Sequence, residues 1–213
     1  MALFKVNFNS MNITPSASKA IKFNSGNNGL ETGDLGGSLV LLSTQTASSS
    51  ANLTFASGID STYKEYQFHF TDIHPATNDA NFQVNFRDGS TDYDATKTTT
   101  FFRAYHTEAD DATGLEYRAP NDVAQSTGAA TLNIGAGNEN DECTSGILHL
   151  FNPSSTTFTK HFMCDSNLYE GGNNSHRALV AGYVNVTAAV DGVQFSFSSG
   201  NIDAGIIKMY GVL

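Results

Sequence analysis

A side-chain period of two recurs along this chain, and it limits the fold to strands packed face to face. In residues 63–73 (YKEYQFHFTDI), Tyr66, Phe68 and Phe70 fall on one side, and Gln67, His69 and Thr71 fall on the other. Residues 81–87 (NFQVNFR) repeat the pattern with Phe82, Val84 and Phe86. In residues 192–198, Val193, Phe195 and Phe197 alternate with Gln194, Ser196 and Ser198. Successive side chains of a strand point to opposite faces, so each segment has one apolar face to bury. A second sheet is the natural cover. No apolar stripe at helical spacing lasts three turns, and no period of a solenoid or propeller appears.

The chain is 213 residues long, with 15 Phe, 8 Tyr and no Trp, and only 15% of it is charged. A β domain of this size buries roughly 70% of its extended surface, so it needs no disulfide or metal to fold. Ser, Thr, Asn and Gly cover the polar faces in place of Lys and Glu. The net charge of −10, with 11 scattered Lys and Arg, argues against nucleic acid as a partner and against anionic membrane surfaces. Residues 1–7 (MALFKVN) lack the apolar stretch of a signal peptide, and no segment has the length and hydropathy of a membrane span. Reduced thiols are therefore expected at Cys143 and Cys164, and the sequons at Asn12, Asn52, Asn173 and Asn185 carry little meaning.

Along the chain, residues 4–8 (FKVNF) alternate and predict a first strand. Residues 1–36 otherwise read as an N-terminal arm or attachment segment, with one apolar cluster at Ile21-Lys22-Phe23, and residues 37–213 as the sandwich domain. Leu39-Val40-Leu41-Leu42 predicts a buried strand, residues 44–52 a polar turn, and Leu53-Thr54-Phe55 a further strand. The turn at residues 74–79 is set by Pro75 and by Asn78-Asp79. Residues 98–106 are rich in β-formers. Residues 107–145 hold few large apolar groups and read as a long surface insertion, with a short helical turn near residues 121–126. Residues 146–151 and 157–164 flank a hairpin connection, and residues 178–187 predict a central strand. Ser199-Gly200-Asn201 joins the last two strands. Short strands with Gly, Pro and Asn turns define an all-β, jelly-roll-like antiparallel sandwich with an extended arm.

Chemistry has few footholds. There is no GxSxG, HExxH, phosphate-binding Gly loop or CxxC. A hairpin closing around Ser155 would set His149 opposite His161, but two imidazoles without a third ligand read as surface histidines. Cys143 and Cys164 flank the same hairpin and read as two thiols, one of them packed, rather than as a bridge. Asp88, Asp92 and Asp94 offer oxygens of the kind calcium takes, though loop carboxylates this close are ordinarily solvated. Glu108, Asp110 and Asp111 do not predict the cross-cleft carboxylate pair of a glycosidase. Tyr93, Tyr105, Tyr117 and Tyr169 are of the type that stacks on sugars, and Tyr at a sheet rim with a wet hydroxyl is the more common case. No catalytic, cofactor-binding or metal-ligating residue is assigned, and no cofactor is expected.

From about Gly36 onward the sequence resembles a family of structural proteins from tailed bacteriophages of marine bacteria, including cyanophages. The stretches that carry the resemblance are LLSTQTASSSANLTFASGIDSTYKEYQFHFTDIHPATNDANFQVNF, TKTTTFFRAYHTEADD, LFNPSSTTFTKHF and AAVDGVQFSFSSGNIDAGIIKMYGVL, with the I-K-M-Y-G tail at Ile207 to Gly211. The resemblance implies a virion component made in the host bacterial cytoplasm, without catalytic residues, displayed on the particle surface. A capsid decoration or cement protein is the first expectation, and a short tail-fibre or receptor-binding protein the second. A carbohydrate-binding module or polysaccharide-degrading enzyme is the rival from another class. The implied partners are further copies of this chain in a homotrimer, other virion proteins such as major capsid or tail proteins, and a host surface glycan.

Overall fold

The computed structural model describes residues 19–26, 28–34 and 37–213. The strand expected at residues 4–8 and the sequon at Asn12 lie outside the described residues. Two compact units divide between Ser38 and Leu39. In the first, β1 (Lys19–Phe23) and β2 (Leu30–Asp34) form an antiparallel hairpin in which Phe23 pairs with Leu30. Ile21, Phe23 and Leu30 remain exposed on it.

The second unit is a jelly roll. Eight of its strands make the core: β3 (Leu39–Thr46), β4 (Leu53–Phe55), β5 (Glu65–Pro75), β6 (Ala80–Arg87), β9 (Ala130–Ala136), β10 (Thr144–Phe151), β13 (Gly192–Phe197) and β14 (Ile202–Val212). They order as β3-β14-β5-β10 in one sheet and β4-β13-β6-β9 in the other. Counted along the chain, the first core strand lies beside the eighth and the second beside the seventh, as two interlocked Greek keys require. Two inserted hairpins extend the first sheet beyond β10. They are β11 (Lys160–Glu170) with β12 (Asn174–Val184), and β7 (Lys97–Thr107) with β8 (Thr113–Tyr117). The long sheet thus runs β3-β14-β5-β10-β11-β12-β7-β8 against a short sheet of half its strand number, and the two join where Glu170 pairs with Ala136. No helix among the described residues is long and apolar enough to cross a membrane.

The alternating faces meet in the middle. Phe68 on the long sheet packs edge-on against Phe55 of the short one at 5.2 Å, and Phe195 lies 5.6 Å from Phe68 and 5.7 Å from Phe82. Phe70 meets Phe82 at 5.2 Å, and Phe86 meets Phe162 at 4.9 Å. Offset and edge-to-face ring pairs add to the gain from apolar burial, so these rings both fill the gap and set how the sheets lie across it.

Several sequence expectations are corrected. The segment 107–145 contains β9, whose seven residues are all buried. Both of its faces are covered, so Thr131 and Asn133 sit inside, and the Asn133 amide donates to Ser166 Oγ at 3.1 Å. The strand at Leu39 is not buried: β3 lies at the edge of its sheet, with Leu39 and Leu41 exposed, and it continues to Thr46. The turn near residues 121–126 is a 3₁₀ turn at Ala119–Asn121, with Pro120 at its start. The second arm of the β10–β11 hairpin begins at Lys160 rather than at Thr157, which leaves Phe158 exposed in the loop.

Candidate functional site

A sheet of eight strands cannot be fully covered by one of four. The last strand of the short sheet, β9, lies beneath β12 and β7, so the inner face of the extension runs past its cover. The residues there are polar. On β7, Arg103 and Tyr105 face inward, and across the ladder Arg103 pairs with Glu116 and Tyr105 with Gly114. On the other side Tyr105 pairs with His176 of β12, and His176 pairs with Leu168 of β11. Arg103, with Asp79 just before β6, Asn81 within it, and Ile134 and Gly135 of β9, lines a cleft of about 350 Å³, and Glu116 and His176 stand behind Arg103. Its lining comprises Asp79, Asn81, Arg103, Arg118, Asn121, Ile134, Gly135 and Glu170, with Ile134 as the single large apolar side chain.

Each wall is held in place. Arg103 donates through Nε to Glu116, lies over the Tyr105 ring at 4.9 Å and points Nη1 at His176 Nε2, 3.4 Å away. Arg118 Nη1 is 3.6 Å from Glu116. The Arg103 hydrogen bond, aided by the charges of both arginines, holds the Glu116 carboxyl below its ordinary range. His176 is 2% exposed, and burial lowers its pKa despite the pull of Glu170 Oε2 at 3.9 Å. The ring is therefore neutral near pH 7. With Nε2 accepting from Arg103, the proton sits on Nδ1, which has no partner. The Asn174 amide donates to Glu170 Oε2, and the Gly135 N–H donates to Asn81 Oδ1 at 3.1 Å. Gly135 has φ +74°, and a Cβ there would stand 3.2 Å from Glu170 Oε1 and 3.3 Å from Asp79 Oδ1. Only glycine allows the backbone this conformation while both carboxylates close around it. Arg118 Nε and Asn121 Oδ1, both in the lining, are buried without a partner, as is Asn174 Oδ1 beside it.

The residues singled out from the sequence lie mostly elsewhere. The pairing of His149 with His161 is wrong: His149 stands opposite Met163, two residues from the expected register, and its Nδ1 contacts Glu65 Oε1 at 2.7 Å. His161 packs against the Tyr183 ring at 6.3 Å. Cys143 and Cys164 are both free, and Cys164 is buried opposite Leu148. Asp88, Asp92 and Asp94 lie between β6 and β7. Among the described residues no three His, Cys, Asp or Glu side chains are grouped as a metal ion would need. Glu108 and Asp110 do share a shallow depression of about 430 Å³ with His106, Asn167, Tyr169 and Ser175. Asp110 there contacts His106 Nε2 at 3.0 Å, and Asp111 accepts from Thr107 Oγ1 at 2.7 Å. The four tyrosines do not converge. Tyr93 lies under Arg87 at 5.6 Å, Tyr105 under Arg103, Tyr117 against Phe102, and Tyr169 in the depression with Glu108.

Sequence reasoning missed the cleft because its members are scattered between Asp79 and Glu170. The available signal was Arg103, a lone cation inside the β-rich run TTTFFRAYH. It also missed two fully buried lysines at the other end of the same inner face, where Lys160 and Lys97 flank Val184 in one row across β11, β12 and β7. Lys97 Nζ donates to the carbonyls of Ala95, Thr127 and Gly128 at 2.9, 3.4 and 2.8 Å, pinning the loop before β9 to β7. Burial pushes its pKa down to about 8. Lys160 Nζ donates to Val186 O at 2.8 Å, and burial lowers its pKa too.

The outer face of the extension contrasts with the inner one. Phe102 (46% exposed), Leu115 (78%), Met163 (54%) and Leu179 (44%) stand on the adjacent strands β11, β12, β7 and β8. Phe102, Met163 and Leu179, with Phe151, His149 and Thr100, line a shallow apolar groove of about 430 Å³. No family model, no curated protein and no solved structure matches the chain.

Proposed function

We propose that this chain is a non-enzymatic structural protein displayed on the surface of a tailed-bacteriophage particle, seated on the capsid shell as a decoration protein. The observation that carries this reading is the outer face of the extension, where four large apolar side chains stand uncovered on neighbouring strands. Monomeric proteins rarely leave contiguous apolar area of this kind without a partner. A jelly roll with a Phe-rich core and no need of a metal or disulfide suits a protein that must persist outside a cell. The resemblance of residues 36–213 to phage structural proteins supplies the kind of particle. Contacts with major capsid proteins, and with two further copies in a homotrimer, belong to the same proposal.

Purified protein added to particles that lack it docks on capsid shells under this reading. Binding only to tails or to host cells overturns it in favour of a short tail-fibre or receptor-binding protein. The polar cleft favours that second reading, since host contact calls for a recognition site. An enzymatic role is tested separately: reducing ends released from a polysaccharide, and lost on Glu170→Gln, would end the non-enzymatic assignment.

A further inference from the structure

We infer that the cleft between the extension and the short sheet is a saccharide-binding site that takes a neutral pyranose. Three observations converge on it. The first is hydrogen-bonding capacity. The lining holds donors (Arg118, Arg103 and the Asn81 amide) together with acceptors (Asp79, Glu170 Oε1 and Asn121 Oδ1). Each sugar hydroxyl donates and accepts at once, so neighbouring hydroxyls on a ring need this mixture, with a carboxylate and a guanidinium or amide side by side.

The second is unused capacity. Arg118 and Asn121 line the cleft, and Arg118 Nε and Asn121 Oδ1 have no hydrogen-bond partner within the protein. Native folds seldom leave such groups unpaired, and each one calls for a partner such as bound water, an ion or a ligand. The surrounding wall is fixed by the Arg103–Glu116, Asn174–Glu170 and Gly135–Asn81 hydrogen bonds, so little ordering is required on binding.

The third is charge. The two guanidiniums of the lining face Asp79 and Glu170, and Glu116 contacts both arginines from behind. The balance is not positive, which disfavours phosphate, sulfate or a uronate and leaves a neutral ligand. A cleft of about 350 Å³ holds one or two sugar rings.

This inference deepens the host-contact reading without depending on it. Sugar binding and position in the particle are read by different measurements, so either one can fail alone. The test is a titration of the ¹⁵N-labelled protein with methyl α-mannopyranoside, methyl β-galactopyranoside and methyl β-glucopyranoside, with glucuronate and inorganic phosphate as anionic counter-probes. The expected result is shifts at the amides of Asn121, Gly135 and Glu170 with at least one neutral glycoside. Arg118→Ala should weaken that binding tenfold or more, the loss typical of a charged hydrogen bond. Asn121→Ala should weaken it by a smaller factor. The Asn121 side chain makes no hydrogen bond within the protein, so this variant decides the matter if Arg118→Ala fails to fold. Shifts with glucuronate or phosphate alone, no shifts with any glycoside, or binding unchanged in the folded variants would each overturn the inference.

Discussion

Replacing Phe195 by alanine removes the ring on which the sandwich closes. Phe195 is fully buried on β13 and touches Phe55 at 6.2 Å, Phe68 at 5.6 Å and Phe82 at 5.7 Å, so it joins both sheets. Truncating a buried Phe to Ala costs about 3–5 kcal/mol, the sum of lost transfer energy and the cavity left behind. The high end applies here, because three ring partners lose contact and the paired strands on either side of β13 resist collapse into the gap. Against a total stability of roughly 5–15 kcal/mol, that is a large share. Phe158 provides the control: it is 70% exposed in the β10–β11 loop, and its truncation should stay within about 0.5 kcal/mol. Guanidinium unfolding followed by tyrosine fluorescence and circular dichroism reads both variants. Phe195→Ala should lower the midpoint with an unchanged slope, and should lower Tm by about 8–20 °C. Equal effects at the two positions, or a loss below about 1 kcal/mol at Phe195, would refute the two-sheet core.

Other residues yield sharper local tests. Lys97 should titrate near pH 8 by ¹³C NMR of its Cε. Its folded pKa lies below the unfolded value of 10.5, so burying the charge costs stability at pH 7. That cost, at most about 3 kcal/mol, is relieved as pH rises from 8 to 10.5. A Cε titration near 10.5 would contradict the burial. Burial also raises the Cys164 thiol far above its ordinary range and the half-buried Cys143 thiol less far. Ellman's reagent should therefore label Cys143 slowly and Cys164 only after unfolding, and rapid labelling of both would contradict this. Gly205→Ala should cost about 2 kcal/mol or more by thermal melts, because φ is +116° and the new Cβ would stand 2.5 Å from Asp72 O, while an unchanged Tm would contradict this close approach of β14 to β5.

The parts of the fold that were legible in the sequence share one property: a single covered face. β5, β6 and β13 each put large apolar groups at every second position, and the structure buries Tyr66, Phe68, Phe70, Phe82, Val84, Phe86, Val193, Phe195 and Phe197 as that period requires. β9 does alternate, but with only Leu132 and Ile134 as large apolar residues it does not stand out from the polar stretch around it, and cover on both faces lets Thr131 and Asn133 sit inside. β3 looked like an interior strand because four apolar residues follow one another, but composition does not say which strand lies at an edge. The β10–β11 register slipped by two residues, a shift that keeps every side chain on its proper face and so leaves no trace in the hydrophobic pattern. The cleft was illegible for a related reason. It exists because inserted hairpins make one sheet longer than the other, and topology of that kind is not written in any local spacing.

Electron cryomicroscopy of intact particles at side-chain resolution tests the proposed role most directly. The account predicts density on the exterior of the capsid shell that fits this jelly roll, with Phe102, Leu115, Met163 and Leu179 turned against a neighbouring protein. Density for this chain on the tail alone, or on no part of the particle, would contradict it.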